Sequence, residues 1–364
     1  MRPFRSVRWL VALAALASVP GAIEARMGDG VFDRRGWEAA LAAHGIGADQ
    51  AVYPFESTEE MRAWAERALR GTRSLTPGRR LEILQAALFS SEFGFDYDVN
   101  ETRTAPQAFA VKNGNCMSFT ALFVALARSV GIPAFLLSIQ RAPEVDRDAG
   151  LVVLNRHVVA GFWEGRDVRT FDFNFVSAAP VKRGAVIDDV LATAMYHSNL
   201  GSAAIRARQI DSALRHLELA TTLAPGWAPA WINLGVARYR SGDPNAALTA
   251  YRHALESDPT SSSAKANMAY VFQQLGMKQE AETALRAAAE KTHNPYTLIS
   301  MADVEMVNGN YRHARLYLRR ARWLYGKYPE VYDALARLAQ RRGKPTKAEK
   351  YARRAQRMRE RSGE

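Results

Sequence analysis

Cysteine is almost absent: Cys116 is the only one in 364 residues, so no disulfide can close within the chain. Long apolar runs are scarce too. Past Val19 no unbroken stretch approaches the ~20 apolar residues that a membrane-spanning helix needs. No glycine-rich loop of phosphate-cradling spacing precedes a helix, which argues against a nucleotide cofactor. His216, His253, His293 and His313 fall in different helical registers without ligand spacing, so neither metal nor cofactor is expected. Acid is scarce at the C-terminal end, where Arg341 to Glu364 hold ten Lys and Arg against three Glu. That surplus has two readings: a contact with an anionic surface, such as lipid headgroups or an envelope polyanion, or a solvated Arg-rich terminal helix. Without interleaved aromatics or a nucleic-acid motif the solvated helix is preferred. A weak surface contact stays open, and no nucleic-acid partner is expected.

What is present begins with an export signal. Arg2, Arg5 and Arg8 precede the apolar segment Trp9 to Val19, and Pro20-Gly21-Ala22-Ile23-Glu24-Ala25 supplies a break and small residues. Residues 1–25 are therefore expected to be a signal peptide cleaved after Ala25, with the mature chain exported to the periplasm. An uncleaved membrane anchor is the alternative. In an oxidising compartment a lone thiol is either inert packing or the centre of chemistry.

The second half is periodic. Trp231, Leu234, Gly235, Gly242, Ala247, Tyr251, Ala254 and Pro259 have counterparts about 34 positions earlier at Leu200, Gly201, Ala213, Leu217, Ala220 and Pro225. Later periods carry Met268, Gly276, Ala281 and Leu285, then Met301, Gly309, Ala314 and Leu318, then Leu335, Gly343, Ala348 and Ala355. Five units are expected, starting near Ala194, Ala228, Ser262, Pro295 and Pro329, with large residues of each first helix set against small ones of the second. The pattern resembles the tetratricopeptide (TPR) family over about residues 194–362. That resemblance implies an all-α solenoid whose groove binds a peptide or protein partner. Asn233, Arg238, Asn267 and Arg312, read as projecting from first helices, are either groove-lining residues or ordinary solvated positions.

Residues 26–190 read as mixed α/β, with an N-terminal helical segment over 26–75. Ser57 and Glu60 resemble a capping box before a helix at Met61. Further helices are expected from Pro77 to about Ser91 and from Ala105 to Val111. The helix opened by Cys116 carries Phe119, Leu122, Phe123, Leu126 and Val130 at helical spacing, and Gly131 and Pro133 end it. Three strands follow, Ala134 to Gln140, Leu151 to Trp163 and Val168 to Phe175, the last two joined by a tight turn at Glu164-Gly165-Arg166-Asp167.

A thiol in the first turn of a helix meets unpaired backbone N–H groups and the positive end of the helix dipole, which favours an anionic, nucleophilic sulfur. The Cys116 N–H is one donor to a developing oxyanion. His157 follows in the right order for a general base, and Asp172 for the acceptor that orients its ring. Pairing across the turn brings 157 and 172 within a register step or two. Between Phe171 and Phe173, alternation aims Asp172 away from the aromatic face. Gln107, Tyr97 and Asn155 are candidates for a second oxyanion donor.

Gly114-Asn115-Cys116-Met117-Ser118-Phe119, Leu126-Ala127-Arg128, Gly131-Ile132-Pro133, Asn155-Arg156-His157-Val158 and Phe171-Asp172-Phe173-Asn174 together resemble the transglutaminase-like superfamily over about residues 76–178. Asn115 stands where many catalytic members carry Trp. More narrowly, the chain resembles bacterial proteins that join such a domain to C-terminal TPR repeats, with Met195 to Leu200 like their first repeat helix. The resemblance implies an α+β, papain-like domain over 76–190 followed by an all-α TPR solenoid. It also implies Cys116 as nucleophile, His157 as base and acid, and Asp172 as orienter. The expected function is thiol-dependent acyl transfer or hydrolysis on a peptide or protein recruited by the array. Water as second nucleophile gives a peptidase or amidase, an amine gives a cross-linker, and the lack of a dedicated amine site tilts the reading to hydrolysis. The alternative is a non-catalytic adaptor for an envelope protein complex.

Overall fold

The computed structural model describes residues 32–139, 151–155, 157–165, 167–173, 184–289 and 295–362, with the backbone of two further strands at 23–24 and 144–148. In chain order the first half contains β1 (Ile23–Glu24), α1 (Arg34–Ala43), α2 (Glu59–Ala68), α3 (Pro77–Leu88), β2 (Asp96–Tyr97), α4 (Ala105–Val111), β3 (Asn113–Gly114) and α5 (Cys116–Ser129). Strands β4 (Phe135–Ile139), β5 (Glu144–Asp148), β6 (Leu151–Asn155), β7 (Val158–Glu164), β8 (Asp167–Phe171) and β9 (Gly184–Ile187) follow.

Local chemistry sets the helix starts. Thr58, Thr76, Thr104 and Asn115 each accept a hydrogen bond from the backbone N–H three residues on, in α2, α3, α4 and α5 respectively. The cap of α2 is thus Thr58 rather than Ser57, a one-residue shift that buries Met61 and Ala65. Helix α5 is apolar all round: every residue from Cys116 to Ala127 is buried, not only the predicted stripe, and Val130 lies beyond its end. Each Phe or Leu sealed there contributes about 1.5–3 kcal/mol of burial.

Five strands form a sheet in the order β1-β9-β4-β7-β8, antiparallel except for the β1–β9 edge. Strand β1 precedes the expected cleavage after Ala25, which would remove it and leave β9-β4-β7-β8 in place. Residues 1–22, the core of the expected signal, lie outside the described residues. No helix among the described residues is long and apolar enough to cross a membrane.

The expected strand over Leu151–Trp163 is two strands in two sheets. Among the described residues strand β6 pairs only with β5, whereas β7 joins the five-stranded sheet, and His157 sits at the break.

The second half is a stack of helix pairs: α6 (Asp189–Arg206) with α7 (Ile210–Leu223), α8 (Ala228–Arg240) with α9 (Pro244–Ser257), α10 (Ser262–Gln274) with α11 (Lys278–Ala289), α12 (Pro295–Val307) with α13 (Tyr311–Tyr325), and α14 (Pro329–Arg341) with α15 (Pro345–Ser362). Four first helices start where the period puts them; α6 starts five residues before Ala194. In the second pair the expected size order is inverted. A Cβ on Gly235 of α8 would collide with the Tyr251 ring of α9, so glycine there lets a large residue of the second helix reach the first.

Segment 32–75 lies between the halves. The Trp37 indole N–H donates to Thr193 Oγ1 at 2.9 Å, and the Tyr53 hydroxyl to Asp189 Oδ2 at 2.6 Å. Arg128, near the end of α5, holds the same Asp189 through two hydrogen bonds of 2.7 and 3.0 Å.

Candidate active site

Three local devices aim Cys116. The Asn115 side chain accepts from the Ser118 N–H at 3.1 Å and donates to Thr102 Oγ1 at 2.7 Å, which locks the start of α5. Gly114 has φ +153°, and a Cβ on it would collide with the Ser118 side chain, so only glycine fits. Parallel pairing of β2 with β3 ties the same turn to Asp96 and Tyr97. The sulfur thereby sits at the first residue of α5 in a buried setting, 4% exposed.

His157 and Asp172 come to it from the ends of β7 and β8. The ladder sets Ala160 opposite Phe171, which puts position 172 opposite 159 and one pleat step from 157. Both residues lie just outside their strands, free of the pleat. His157 Nε2 is 3.0 Å from Asp172 Oδ2. An ionised carboxylate only accepts, so Nε2 carries the hydrogen and donates it, leaving Nδ1 for Cys116. Burial alone disfavours protonation of His157, but hydrogen bonds to Asp172 and Cys116, with the charge of both, outweigh it and raise the ring to about 10. Gln85 Nε2 donates to the Asp172 carbonyl at 2.6 Å and fixes its backbone. Alternation stops with β8 at Phe171, which stacks on Phe123 of α5 at 4.9 Å. Phe173 therefore shares the site with Asp172 instead of facing away: it stacks on Tyr97 at 4.0 Å and meets the His157 ring edge-on at 5.9 Å.

The expected second oxyanion donors fare differently. Gln107 is exposed, and its side-chain oxygen accepts from the Thr104 N–H at 3.0 Å within the cap of α4. Tyr97 reaches the site as a stacking partner of Phe173, and the Asn155 side chain lies outside the described residues. Gln85 and Phe173 were not singled out in the sequence. Gln85 sits on a helix remote in sequence and carries no local signal, whereas Phe173 adjoins Asp172.

The groove residues are corrected in two respects. Asn233 and Asn267 do lie on first helices, α8 and α10, but both are fully buried against strand β6 of this same chain. Arg312 is on the second helix α13 and exposed, because the turn between the two helices of its repeat falls just before it. Arg238 pairs with Glu218. At the basic end, Arg315, Arg319, Arg322, Arg342, Lys344 and Lys347 line a cleft of about 150 Å³ over Leu335 and Leu338.

Among the described residues no group of three or more His, Cys, Asp or Glu is placed to hold a metal ion; His293 lies outside them. His197, unremarked in the sequence, faces His216 with the two Nδ1 atoms 3.1 Å apart. Burial, reinforced by His216, pushes His197 down to about 3, and burial together with Arg215 lowers His216. The His197 ring stays neutral in the folded chain until the pH approaches 3, while an unfolded histidine takes up a proton below about pH 6.5. The stability linked to His197 is therefore complete above pH 6.5 and is lost as pH falls towards 3, at up to ~1.4 kcal/mol per unit. Denaturant unfolding at pH 7.5 and 5.0 is expected to show the loss, and His197→Asn to flatten it.

Residues 62–167 match the model of the transglutaminase-like superfamily, and residues 238–302 that of a tetratricopeptide repeat. The first match begins inside segment 26–75 and so includes most of α2. No curated protein matches the chain. Among solved structures it is similar to MamA (19% identity, 47% of this chain and 93% of that one, TM-score 0.34). It is also similar to PilF of Pseudomonas aeruginosa (22%, 43% and 72%, TM-score 0.37) and to PilW, a type IV pilus biogenesis factor (20%, 46% and 78%, TM-score 0.39). The chain thus joins a transglutaminase-like domain to C-terminal tetratricopeptide repeats.

Proposed function

We propose that this is an exported, cysteine-dependent hydrolase or acyltransferase acting on a carboxamide or peptide carbonyl. The observation that carries the reading is the His157 ring, held by Asp172 on one nitrogen at 3.0 Å and facing Cys116 with the other. The Cys116 sulfur attacks the carbonyl carbon, forming the C–S bond. The oxyanion is met by the N–H groups at the start of α5. Collapse breaks the C–N bond, and the amine or ammonia leaves with the proton from His157. Water, deprotonated by His157, then cleaves the thioester to a carboxylate and regenerates the thiol; an amine in its place gives a new amide.

The test is to incubate the full chain with glutamine-containing peptides and a biotinylated primary amine. Ammonia release, new peptide termini and amine incorporation are followed together. The wild type is expected to give one of these signals and Cys116→Ala none. Equal signals from both proteins contradict the proposal.

A second reading, an adaptor whose repeats recruit a protein partner, draws on the tetratricopeptide repeats themselves. Its docking faces must lie outside the stretch that Asn233 and Asn267 hold. The basic cleft between α13 and α15 suits a weak contact with an anionic surface.

A further inference from the structure

The inner helices of the array grip an extended strand, and the strand belongs to the transglutaminase-like half. Asn233 Oδ1 accepts from the Leu154 N–H at 2.9 Å, while its Nδ2 donates to the Leu154 carbonyl at 2.9 Å. One repeat further, 34 residues on, Asn267 makes the same pair with Val152, at 2.8 and 2.9 Å. One step of the solenoid thus matches one two-residue step of the strand. In an antiparallel pair alternate residues turn their backbone groups outwards, and with β5 on one edge, Val152 and Leu154 turn theirs to the array. Ser198 and Ser202 hydroxyls, each 3.1 Å from Asn233 Nδ2, hold that amide in place. Leu151, Val152, Val153 and Leu154 are buried in one cluster with Ile232, Leu234 and Val236 of α8, separate from the cluster around α5.

Strand β6 ends two residues before His157, where the chain breaks from one sheet to the other. We infer that β6 is an internal ligand of the tetratricopeptide groove, and that Asn233, through Leu154, is a positioning residue for His157. The array then acts as a bracket that sets the approach of His157 to Cys116. The second part rests on the reading of His157 as the base; the first does not.

Two measurements on the full chain separate the parts. Hydrogen exchange reads the grip: the amides of Val152 and Leu154 are expected to exchange as slowly as the buried amides of α5. Asn233→Leu, close in size but unable to hydrogen-bond, is expected to speed Leu154 at least tenfold. Fast exchange of both amides in the wild type overturns the internal-ligand inference whatever Cys116 does. Iodoacetamide alkylation of Cys116 across pH 5–9 reads the coupling. Asn233→Leu is expected to slow it at least tenfold at pH 6 and to move its pH dependence upwards. Asn267→Leu, which releases Val152 and leaves Leu154 held, is expected to slow it less than threefold at a similar loss in Tm. Equal effects of the two variants, or a wild-type profile in Asn233→Leu, overturn the positioning role. A wild-type Cys116 that alkylates like a free thiol instead removes the proposed function and leaves the exchange result standing.

Discussion

Replacing His157 with Ala is expected to slow alkylation of Cys116 by iodoacetamide at pH 6 by about 100-fold or more. An ordinary thiol is only ~0.3% ionised at that pH, and the thiolate is the reactive form. On the proposed reading the His157 imidazolium and the first-turn N–H groups of α5 act together on the sulfur, and hydrogen bonds to Asp172 and Cys116 raise the ring to about 10. Without the ring, the helix terminus acts alone and Asp172 adds an unscreened negative charge nearby. The Asp172→Ala variant keeps the ring but not its orientation and is expected to lose about tenfold, consistent with a role exercised through His157. Circular dichroism and thermal unfolding separate these losses from misfolding. Equal rates in wild type and His157→Ala contradict the activation.

Replacing Arg128 with Ala is expected to destabilise the chain by about 3–5 kcal/mol, the cost of leaving a buried carboxylate without its counter-charge. Asp189 is fully buried, and among the described residues its carboxylate receives, besides Arg128, only the Tyr53 hydroxyl. Arg128 also donates from Nε to the Ala134 carbonyl at 2.9 Å, which pins the turn between α5 and β4. Since the pair ties α5 to α6, its loss strikes the junction of the two halves. The unpaired charge, rather than lost packing, is the main term, so Arg128→Ala with Asp189→Asn is expected to be more stable than Arg128→Ala alone. Urea unfolding of the four proteins of this cycle gives the answer. A double variant no more stable than the single one assigns the effect to packing.

The elements that carry Cys116 were legible because their signals are local. Helix α4 forms over the expected Ala105 to Val111, and Gly131 stops the helix that Cys116 begins. The repeat boundaries were legible because Gly and Ala recur with a fixed period. The proximity of His157 and Asp172 followed from the turn at Gly165 and antiparallel pairing.

What was hidden depends on contacts distant in sequence. Within Leu151 to Trp163 only Asn155-Arg156-His157 interrupts the apolar run, and three polar residues do not by themselves tell that the chain passes from one sheet to another. The break exists because β6 is buried by the array rather than by α5. The 34-residue spacing of Asn233 and Asn267 was visible, but their ligand was not, since nothing local ties a strand of the first half to the groove of the second. The Arg128–Asp189 pair and the seat of His197 on His216 likewise join elements that only the tertiary fold brings together.

The most direct test is an NMR titration of the His157 ring in ¹³C-histidine-labelled protein, assigned by the signal lost in His157→Ala. In the wild type the ring is expected to remain protonated through pH 8 and to titrate towards about 10, and in Cys116→Ser to titrate at lower pH because the sulfur's charge is gone. A wild-type ring that titrates near pH 6.5, unmoved by Cys116→Ser, contradicts the Cys116–His157–Asp172 assignment.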